Sequence, residues 1–287
     1  MDSITHCTKQ EPGRLQEEAR EAIWPIYIVS LRDAAQRRTQ CARTMARLGL
    51  RFEFFDAVEG AKLPHEEIAQ VYDADANARL YKHPLSPPEI GCYLSHFALW
   101  QRIASGAQGG AFLLEDDFQA QPGLADILVA ISRANLENCM VKLYARRPPR
   151  GAEIDKLPGD YKLVLPHHVP GMTLGYAVDK LAAARLAART LPIARPIDME
   201  IKHWWQYDVP VLVVAPSPLR AELRETGSTI EAARVKARRE DHLGSIARAV
   251  RNLRYQIAYN AAVLRHRPRE REHAHRLKAI LRNRMEP

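Results

Sequence analysis

The chain carries short apolar runs separated by polar stretches, beginning with residues 26–31 after Pro25. This first run is rich in β-branched and aromatic residues, which predicts a buried strand. Asp33 is a candidate N-cap for the helix that follows, and Gly49 is a candidate stop signal. Residues 52–55 predict a second strand. A strand–helix–strand opening favours an α/β fold with parallel strands.

The next segment, residues 60–85, is polar and irregular, as expected of a long surface loop or of short helices. At Ser86 the pattern changes, because Pro87 suits the first position of a helix and Glu89 completes a capping box. Apolar residues at helical spacing then continue towards Gly106. We therefore interpret Glu89 as a helix cap and not as a catalyst.

Later apolar runs predict four more strands, at residues 111–114, 140–144, 174–178 and 209–214. Pro210 favours an edge position for the last of these strands, because proline has no N–H to donate to a neighbouring strand. Asp179 is a candidate N-cap for a helix that runs to about residue 191.

The end of the chain has a helical pattern of its own. Apolar or amide residues recur alternately three and four positions apart, at Leu243, Ile246, Val250, Leu253, Ile257, Asn260 and Leu264. Arginines at 248, 251 and 254 lie off that stripe, so the segment is predicted to be a basic amphipathic helix that Pro268 ends. Packing against the body, a short coiled-coil homodimer and adsorption to an anionic membrane remain open.

The formal charge of +8 is concentrated in this tail. Residues 233–287 contain 15 basic and 5 acidic side chains, whereas residues 1–232 contain 27 basic and 29 acidic ones. Such an asymmetry predicts an anionic partner, either a membrane or a nucleic acid. Only Tyr255 and Tyr259 offer aromatic rings in the tail, so we do not expect a nucleic-acid partner.

The cysteines and the start of the chain favour a cytoplasmic protein. None of the four cysteines forms a C-x-x-C pair or has a spacing typical of zinc sites, so we expect reduced thiols. The polar N-terminus has no apolar region of a signal peptide, and no run of 18 apolar residues predicts a membrane span.

Three consecutive carboxylates, Glu115, Asp116 and Asp117, follow the predicted strand 111–114. Adjacent acids repel each other unless a cation compensates their charge. Glu115 and Asp117 would face the same side of an extended chain, and their oxygens suit Mg²⁺ or Mn²⁺. Ligands of open α/β sheets bind beyond the carboxyl ends of the strands, where this triplet lies. The alternative interpretation is a solvated acidic turn.

Several short motifs occur in a fixed order within residues 24–232. They are 26–32 with 37–38, 48–60, 88–96 with Trp100, 112–118, 141–144, 175–178 with 182–183, 195–198 and 227–230. Their order and spacing resemble glycosyltransferase family 25, the lipooligosaccharide-biosynthesis family that also includes collagen galactosyltransferases. The chain departs from the family pattern at Phe118-Gln119, where an aliphatic residue is common, and after residues 216–219.

The resemblance implies a GT-A-like fold, with a mostly parallel sheet flanked by helices. It also implies a divalent metal, Mn²⁺ or Mg²⁺, and a UDP-sugar donor, usually UDP-galactose or UDP-glucose. The predicted organisation is a polar segment at 1–23, a transferase domain at 24–232 and a basic helical appendage at 233–287.

Residue by residue, the acidic triplet corresponds to the family's metal and diphosphate motif, with Glu115 and Asp117 as metal ligands. If an acceptor hydroxyl attacks directly, it needs a base; Asp198 is the first candidate, and His203 is the second, as base or further metal ligand. His96 either contacts the donor or forms hydrogen bonds within the core. The residues predicted to contact the donor are Ser30, Arg32, Arg38, Asp56, Ser95, His96 and Asp116.

These inferences predict a metal-dependent hexosyltransferase acting on a lipopolysaccharide, lipooligosaccharide or other surface glycan. It would work as a peripheral protein at the cytoplasmic face of the inner membrane. The alternatives are a non-catalytic scaffold that keeps the transferase fold and a protein that binds an anionic polymer such as nucleic acid.

Overall fold

The computed structural model describes residues 23–222 and 245–282. The family block at 227–230, the boundary at 232–233 and the first residue of the helical stripe, Leu243, lie outside these described residues. Within them, ten strands are present, in chain order β1 (Ile26–Ser30), β2 (Glu53–Asp56), β3 (Gly110–Glu115), β4 (Phe118–Ala120), β5 (Met140–Lys142), β6 (Gly151–Lys156), β7 (Lys162–Pro166), β8 (Gly175–Asp179), β9 (Val211–Ala215) and β10 (Leu219–Ala221).

The helices lie between groups of these strands and at the end of the described chain. They are α1 (Ala35–Leu48), α2 (His65–Val71), α3 (Ala74–Leu80), α4 (Pro87–Ser105), α5 (Leu124–Ala134), α6 (Lys180–Arg189), α7 (Ile197–Ile201), α8 (Ser245–Arg265) and α9 (Arg267–Arg282), with single 3₁₀ turns at Gly60–Lys62 and Trp204–Gln206. None of the described helices combines the length and the apolar character needed to cross a membrane.

Eight strands form one sheet in the order β2-β1-β3-β8-β5-β9-β7-β6, and β4 pairs with β10 in a small separate ribbon. The β2-β1-β3 portion and the β5-β9 pair are parallel. Strand β8 runs antiparallel to both β3 and β5, and β7 runs antiparallel to both β9 and β6. The predicted α/β class is confirmed and the arrangement fits a GT-A-like fold, although the sheet is more mixed than predicted.

The sheet is covered on both faces, as the alternation of side chains along β3 shows. Phe112 and Leu114 pack in one core with residues of α1 and α5. Ala111 and Leu113 pack in a second core with residues of α4 and α6. Because successive residues of a strand point to opposite faces, this continuous apolar run fills both cores. Glu115 follows on the α4 side, and this placement matters for the site.

Two local predictions at strand and helix ends need correction. Helix α1 begins at Ala35 with Ala34 in the cap position and no side-chain cap, so Asp33 is not its N-cap. Its end is as predicted, because Gly49 adopts φ 65° and its N–H bonds the last turn. Pro210 does not mark an edge strand, since β9 lies between β5 and β7. The proline precedes the first paired residue, and its carbonyl accepts a hydrogen bond from Met140 N at 3.0 Å.

Other local predictions are confirmed. The Glu89 carboxylate accepts hydrogen bonds from the backbone N–H and the hydroxyl of Ser86, each at 2.9 Å, and Pro87 opens α4. The Asp179 side chain accepts from Leu181 N and Ala182 N at the start of α6. The irregular stretch 60–85 contains the short helices α2 and α3 and a 3₁₀ turn.

The tail packs on the body through a face that the sequence pattern does not identify. The buried side chains of α8 are Tyr255, Tyr259 and Val263. The predicted stripe lies on the opposite side of the helix and is exposed: Ile246 80%, Val250 50%, Leu253 59%, Ile257 61% and Leu264 68%. Packing is therefore present, but the predicted stripe does not make it.

Candidate active site

The carboxyl ends of three parallel strands meet where the sequence places its acidic triplet. Ser30, the last residue of β1, is in register with Asp56, the last residue of β2. Val29 of β1 is in register with Glu115, the last residue of β3. The structure therefore brings three of the predicted donor and metal positions to one edge of the sheet, the position at which open α/β sheets bind ligands.

Asp116 connects this edge internally. Its Oδ2 atom accepts a hydrogen bond from Ser30 Oγ at 2.5 Å, and its Oδ1 atom accepts from Arg37 Nη1 at 2.8 Å. The Cys41 thiol of α1 donates to its carbonyl oxygen at 3.5 Å. Asp116 is buried, and a buried carboxylate needs such partners. It acts here as an anchor between β1, α1 and β3.

Burial, and secondarily the charges of Asp116 and Asp117, raise the pKa of Cys41 to about 12. The thiol therefore remains protonated and can donate its hydrogen bond. Arg37, which also acts on this thiol, is one of the site residues that the sequence prediction missed. Its position beside Arg38 in the first family-like block was the available signal, but spacing alone does not show which arginine turns inward.

Arg38 and Arg32 hold the carboxylate of Asp56. Arg32 donates to Asp56 Oδ2 through Nε and Nη2, at 3.1 and 2.8 Å, and Arg38 Nη2 donates to Oδ1. Hydrogen bonds from Arg38 first, and then from Arg32, lower the pKa of Asp56 below its ordinary value. Arg38 also donates to the carbonyls of Leu31 and Ser30, at 3.1 and 2.9 Å. These arginines line the loop after β1 with positive charge, although part of their hydrogen-bonding capacity is used inside the protein.

Glu115 faces helix α4 and the loop before β8. Thr173 Oγ1 donates to its Oε1 atom, and His96 Nε2 lies 3.7 Å from the same oxygen. Burial raises the pKa of Glu115, but the neighbouring His96 and the Thr173 hydrogen bond outweigh that effect and leave the pKa below its ordinary value. Glu115 is therefore an ionised carboxylate at neutral pH.

Asp117 lies in the turn between β3 and β4, since β3 ends at Glu115. We predicted that Glu115 and Asp117 face the same side because side chains alternate along an extended chain. The extended chain ends before Asp117, so that prediction does not apply to it. The Asp117 carbonyl accepts a hydrogen bond from Glu222 N at 2.9 Å, and its charge acts on Cys41 of α1. Glu115 and Asp117 thus have different protein neighbours on the two sides of Asp116.

Ser95 and His96 are both fully buried in α4, but they differ in role. Ser95 Oγ accepts from Val58 N at 2.8 Å and donates to Gly91 O at 2.7 Å, so it joins α4 to the loop after β2. A Cβ atom on Gly91 would lie 2.5 Å from Val58 O, and this close approach requires glycine. His96 instead bonds Tyr176 OH through Nδ1 at 2.8 Å and directs Nε2 towards Glu115.

A buried lysine, Lys142, organises the loop that contacts Glu115. Its ammonium group donates to the carbonyls of Pro170, Gly171 and Met172. Burial lowers the pKa of Lys142 to about 8, an effect that the charge of Asp198 partly opposes. The next residue of the loop, Thr173, contacts Glu115. The run 141–144 was recognised from the sequence as a strand, but the contacts of its lysine depend on the sheet order, which the sequence does not show.

The same loop also contacts Asp198, which lies in the first turn of α7. Asp198 Oδ2 accepts a hydrogen bond from Met172 N at 3.2 Å. The carboxylates of Glu115 and Asp198 are thus held by adjacent residues of one loop. This is the structural link between the acidic triplet and the predicted base.

His203 has a more enclosed environment. Its Nδ1 atom is 2.8 Å from Met199 O, and its ring packs against those of Trp205 and Tyr259. Burial, followed by the charge of Arg195, lowers the pKa of His203 to about 3, so the ring is neutral. Among the described residues, the ring of His203 therefore contacts Met199 and the rings of Trp205 and Tyr259, and it makes no hydrogen bond or ring contact with the triplet.

A cavity of about 370 Å³ lies elsewhere, between β6 and α9, and is lined by residues that include Glu153, Asp155 and Lys278. Strand β6 is at the far edge of the sheet, so this cavity does not belong to the triplet site.

Comparison with known proteins agrees with the motifs at this edge. Residues 23–150 match the family model described as glycosyltransferase family 25 (LPS biosynthesis protein), and this range includes β1, β2, β3 and the triplet. This part of the chain is therefore similar to glycosyltransferase family 25. The resemblance predicted from the short motifs is confirmed.

Curated proteins that are similar to this chain include proteins of animals and of bacteria. A glycosyltransferase 25 family member of Aedes aegypti is 31% identical over 100 residues, 34% of this chain and 16% of the relative. Procollagen galactosyltransferase 1-A of Xenopus laevis is 25% identical over 181 residues, 60% of this chain and 30% of the relative. The lacto-N-neotetraose biosynthesis glycosyltransferase LgtB of Neisseria meningitidis serogroup B is 36% identical over 92 residues, 32% of each chain. The matched part of this chain therefore spans less than a third of each relative.

We predict that Lys142→Met weakens the loop at 170–173. Methionine has a similar length but leaves three carbonyls without their donor, and unsatisfied buried groups cost about 1–3 kcal/mol. The free energy of unfolding should fall by that amount in urea titrations, and amide exchange should increase at 172–173. Lys180→Met, which removes an exposed lysine bonded to a single carbonyl, is the control and should have a smaller effect. Unchanged amide exchange at 172–173 in the Lys142 variant would show that Lys142 does not stabilise this loop.

Proposed function

We propose that the chain is a glycosyltransferase that moves a hexose, galactose or glucose, from a UDP-sugar to a hydroxyl of a surface glycan. The observation that supports this most strongly is the position of the triplet. It begins with the last residue of β3, within the part of the chain that matches the family 25 model, and lies beside the carboxyl ends of β1 and β2. The edge offers both carboxylates for a cation and arginines for an anionic donor.

The donor would bind across this edge of the sheet. Glu115 and Asp117 would hold Mn²⁺ or Mg²⁺, since an ionised carboxylate at the end of β3 and a second one two residues later are the hard oxygen ligands that these ions prefer. When bound, the cation neutralises charge that develops on the departing diphosphate. Asp116 would keep the two ligands in place, because its own oxygens are engaged by Ser30 and Arg37.

The nucleotide would lie towards β1 and β2. Arg32 is exposed beside Asp56, and Arg38 is partly exposed in the same cluster. Guanidinium groups suit phosphate oxygens, which could exchange with the carboxylate partner seen here. Ser30 lies next to this cluster at the end of β1, so its main contribution is to position the loop.

Asp198 would accept the proton of the acceptor hydroxyl. Its carboxylate lies in the partly exposed first turn of α7 and is linked to Glu115 through residues 172–173. His203 is a weaker candidate because its ring is enclosed by aromatic side chains. The names of two relatives mention procollagen and lacto-N-neotetraose biosynthesis. The first name mentions a protein and the second the synthesis of a glycan, so they support a glycosyltransferase without choosing between these acceptors.

Asp117→Ala tests the metal and donor site. We expect wild-type protein to bind UDP more tightly with Mn²⁺ than without it. In the variant, the UDP affinity measured with Mn²⁺ should be lower than in wild type by about tenfold or more, as for changes at other metal sites. Titration calorimetry measures the UDP affinity of each protein with Mn²⁺ and without it. Asp126→Ala removes an exposed acid of α5 and should behave as wild type. If wild type and Asp117→Ala bind UDP equally under both conditions, the metal role fails and a non-catalytic scaffold gains support.

Asp198→Asn tests the base. A screen of UDP-sugars for metal-dependent hydrolysis or transfer first identifies the donor. With that donor, kcat should fall by about 10²–10⁴-fold, the usual contribution of a general base, while UDP binding is unchanged. Asp126→Asn is the matched control. A variant that retains wild-type kcat would exclude Asp198 as the base.

We also propose that the outer face of α8 binds an anionic membrane, which would bring the enzyme to a lipid-linked acceptor. Five of the nine exposed large apolar side chains in the described residues lie on this one helix, opposite its buried tyrosines. The helix contains Arg248, Arg251, Arg254 and Arg265 and no acidic residue. Each cation near an anionic surface contributes about 1 kcal/mol, so the charge favours a membrane over a second copy of this basic helix.

The double variant Leu253→Asp, Ile257→Asp tests this surface without removing α8, whose tyrosines are part of the core. We expect wild-type protein to float with phosphatidylglycerol vesicles at low salt and the variant to remain in solution. Leu80→Asp with Leu181→Asp, which changes two exposed leucines outside the tail, is the control and should float. Undiminished flotation of the α8 variant would refute membrane binding. Membrane binding would also be refuted if the wild-type protein did not float with the vesicles but formed a dimer that the α8 variant does not form.

A further inference from the structure

Helix α4 presents a cysteine and a histidine, one turn apart, to the end of β3. Cys92 Sγ, His96 Nε2 and a carboxylate oxygen of Glu115 all lie within 4.8 Å of one another. Residues four positions apart on a helix share a face, so this pair can bind one ion together. We propose that Cys92, His96 and Glu115 form a second cation site, selective for a zinc-like ion, which shares Glu115 with the proposed donor-metal site but does not use Asp117.

The orientation of His96 is the main support. Its ring is fully buried, and Nδ1 is held 2.8 Å from Tyr176 OH, which also accepts a hydrogen bond from Trp100 Nε1 at 3.0 Å. The Nε2 atom is buried and has no hydrogen-bond partner. A buried polar atom without a partner is costly, and an ion would provide one. The ring is therefore fixed so that Nε2 points at the Glu115 carboxylate.

The separation of the ligand atoms suits a small ion. His96 Nε2 and Glu115 Oε1 are 3.7 Å apart, which is too long for a hydrogen bond. Two ligands about 2.1 Å from a tetrahedral zinc ion are separated by roughly 3.4 Å. Small rotations of the Glu115 carboxylate would close this difference. Its Thr173 hydrogen bond already fixes one side of the group.

The ligand types distinguish this site from the donor-metal site. A thiolate and an imidazole favour Zn²⁺ or Co²⁺, whereas carboxylates alone favour Mg²⁺ or Mn²⁺. Three protein ligands leave a fourth position for water. Cys92 and Glu115 are both partly exposed, so an ion has a route to the site, while His96 forms its buried wall. The Tyr176 hydroxyl supports the histidine in the way that outer hydrogen bonds support other metal ligands.

The test uses the full chain, freed of metal and titrated with Co²⁺. We expect the near-ultraviolet absorption of a cobalt–thiolate bond together with the visible bands of a tetrahedral ion. Cys92→Ser should remove the thiolate absorption, and His96→Gln should weaken Co²⁺ binding by about tenfold or more. Cys139→Ser, which changes a buried core thiol, and Cys7→Ser should retain the absorption. Absence of the absorption in wild-type protein, or its persistence in Cys92→Ser, would refute the site.

A second measurement needs no variant and so does not depend on folding of the substituted chains. Zn²⁺ should slow alkylation of Cys92 in the wild-type protein, whereas Mg²⁺ should not, as followed by mass spectrometry of the peptides. Equal alkylation of Cys92 with both ions would refute the site. Asp117→Ala should retain the Co²⁺ absorption even though it loses Mn²⁺-dependent UDP binding. Failure of the cation site and failure of the donor-metal proposal are therefore distinguishable.

Discussion

The hydrogen bonds of the buried Asp116 carboxylate hold together the part of the sheet where the carboxyl ends of β1 and β3 meet. A charge in that position is tolerated only because Ser30 and Arg37 each satisfy one of its oxygens. This pairing joins the end of β1, the first turns of α1 and the end of β3. It also separates the two neighbouring acids, with Glu115 turned towards α4 and Asp117 placed in the following turn. Loss of Asp116 would therefore disturb both carboxylates without removing either one.

The sequence predicts those parts of the fold in which a local pattern and the tertiary environment agree. Strands β1, β3 and β8 are continuous apolar runs, and they are buried on both faces. Strand β6 was missed because its exposed and partly buried residues give little hydrophobic signal. The face of α8 was misassigned because aliphatic spacing marks Leu253 and Ile257, whereas the buried contacts use Tyr255 and Tyr259.

The candidate site was predictable to a similar extent. Its acids and arginines follow predicted strands, so their meeting at one edge follows from parallel pairing. Lys142 and Thr173 could not be placed in the same way. Lys142 bonds the loop before β8 and Thr173 of that loop bonds Glu115, and both contacts depend on the strand order β3-β8-β5. That order requires an antiparallel strand between two others, and no local pattern specifies it. The same limitation applies to the proximity of Cys92 and Glu115.

The position of α8 connects the two proposals for catalysis and membrane binding. Its inner face places Tyr259 against the rings of His203 and Trp205, close to the helix that carries Asp198. Its outer face carries the exposed apolar stripe. A helix with its side chains is about 10–12 Å across, so a membrane bound to the outer face would lie little more than that distance from the region of α7. A lipid-linked acceptor could then approach Asp198 while its lipid remained in the bilayer. This geometry explains why one helix would combine an aromatic inner face with a basic, apolar outer one.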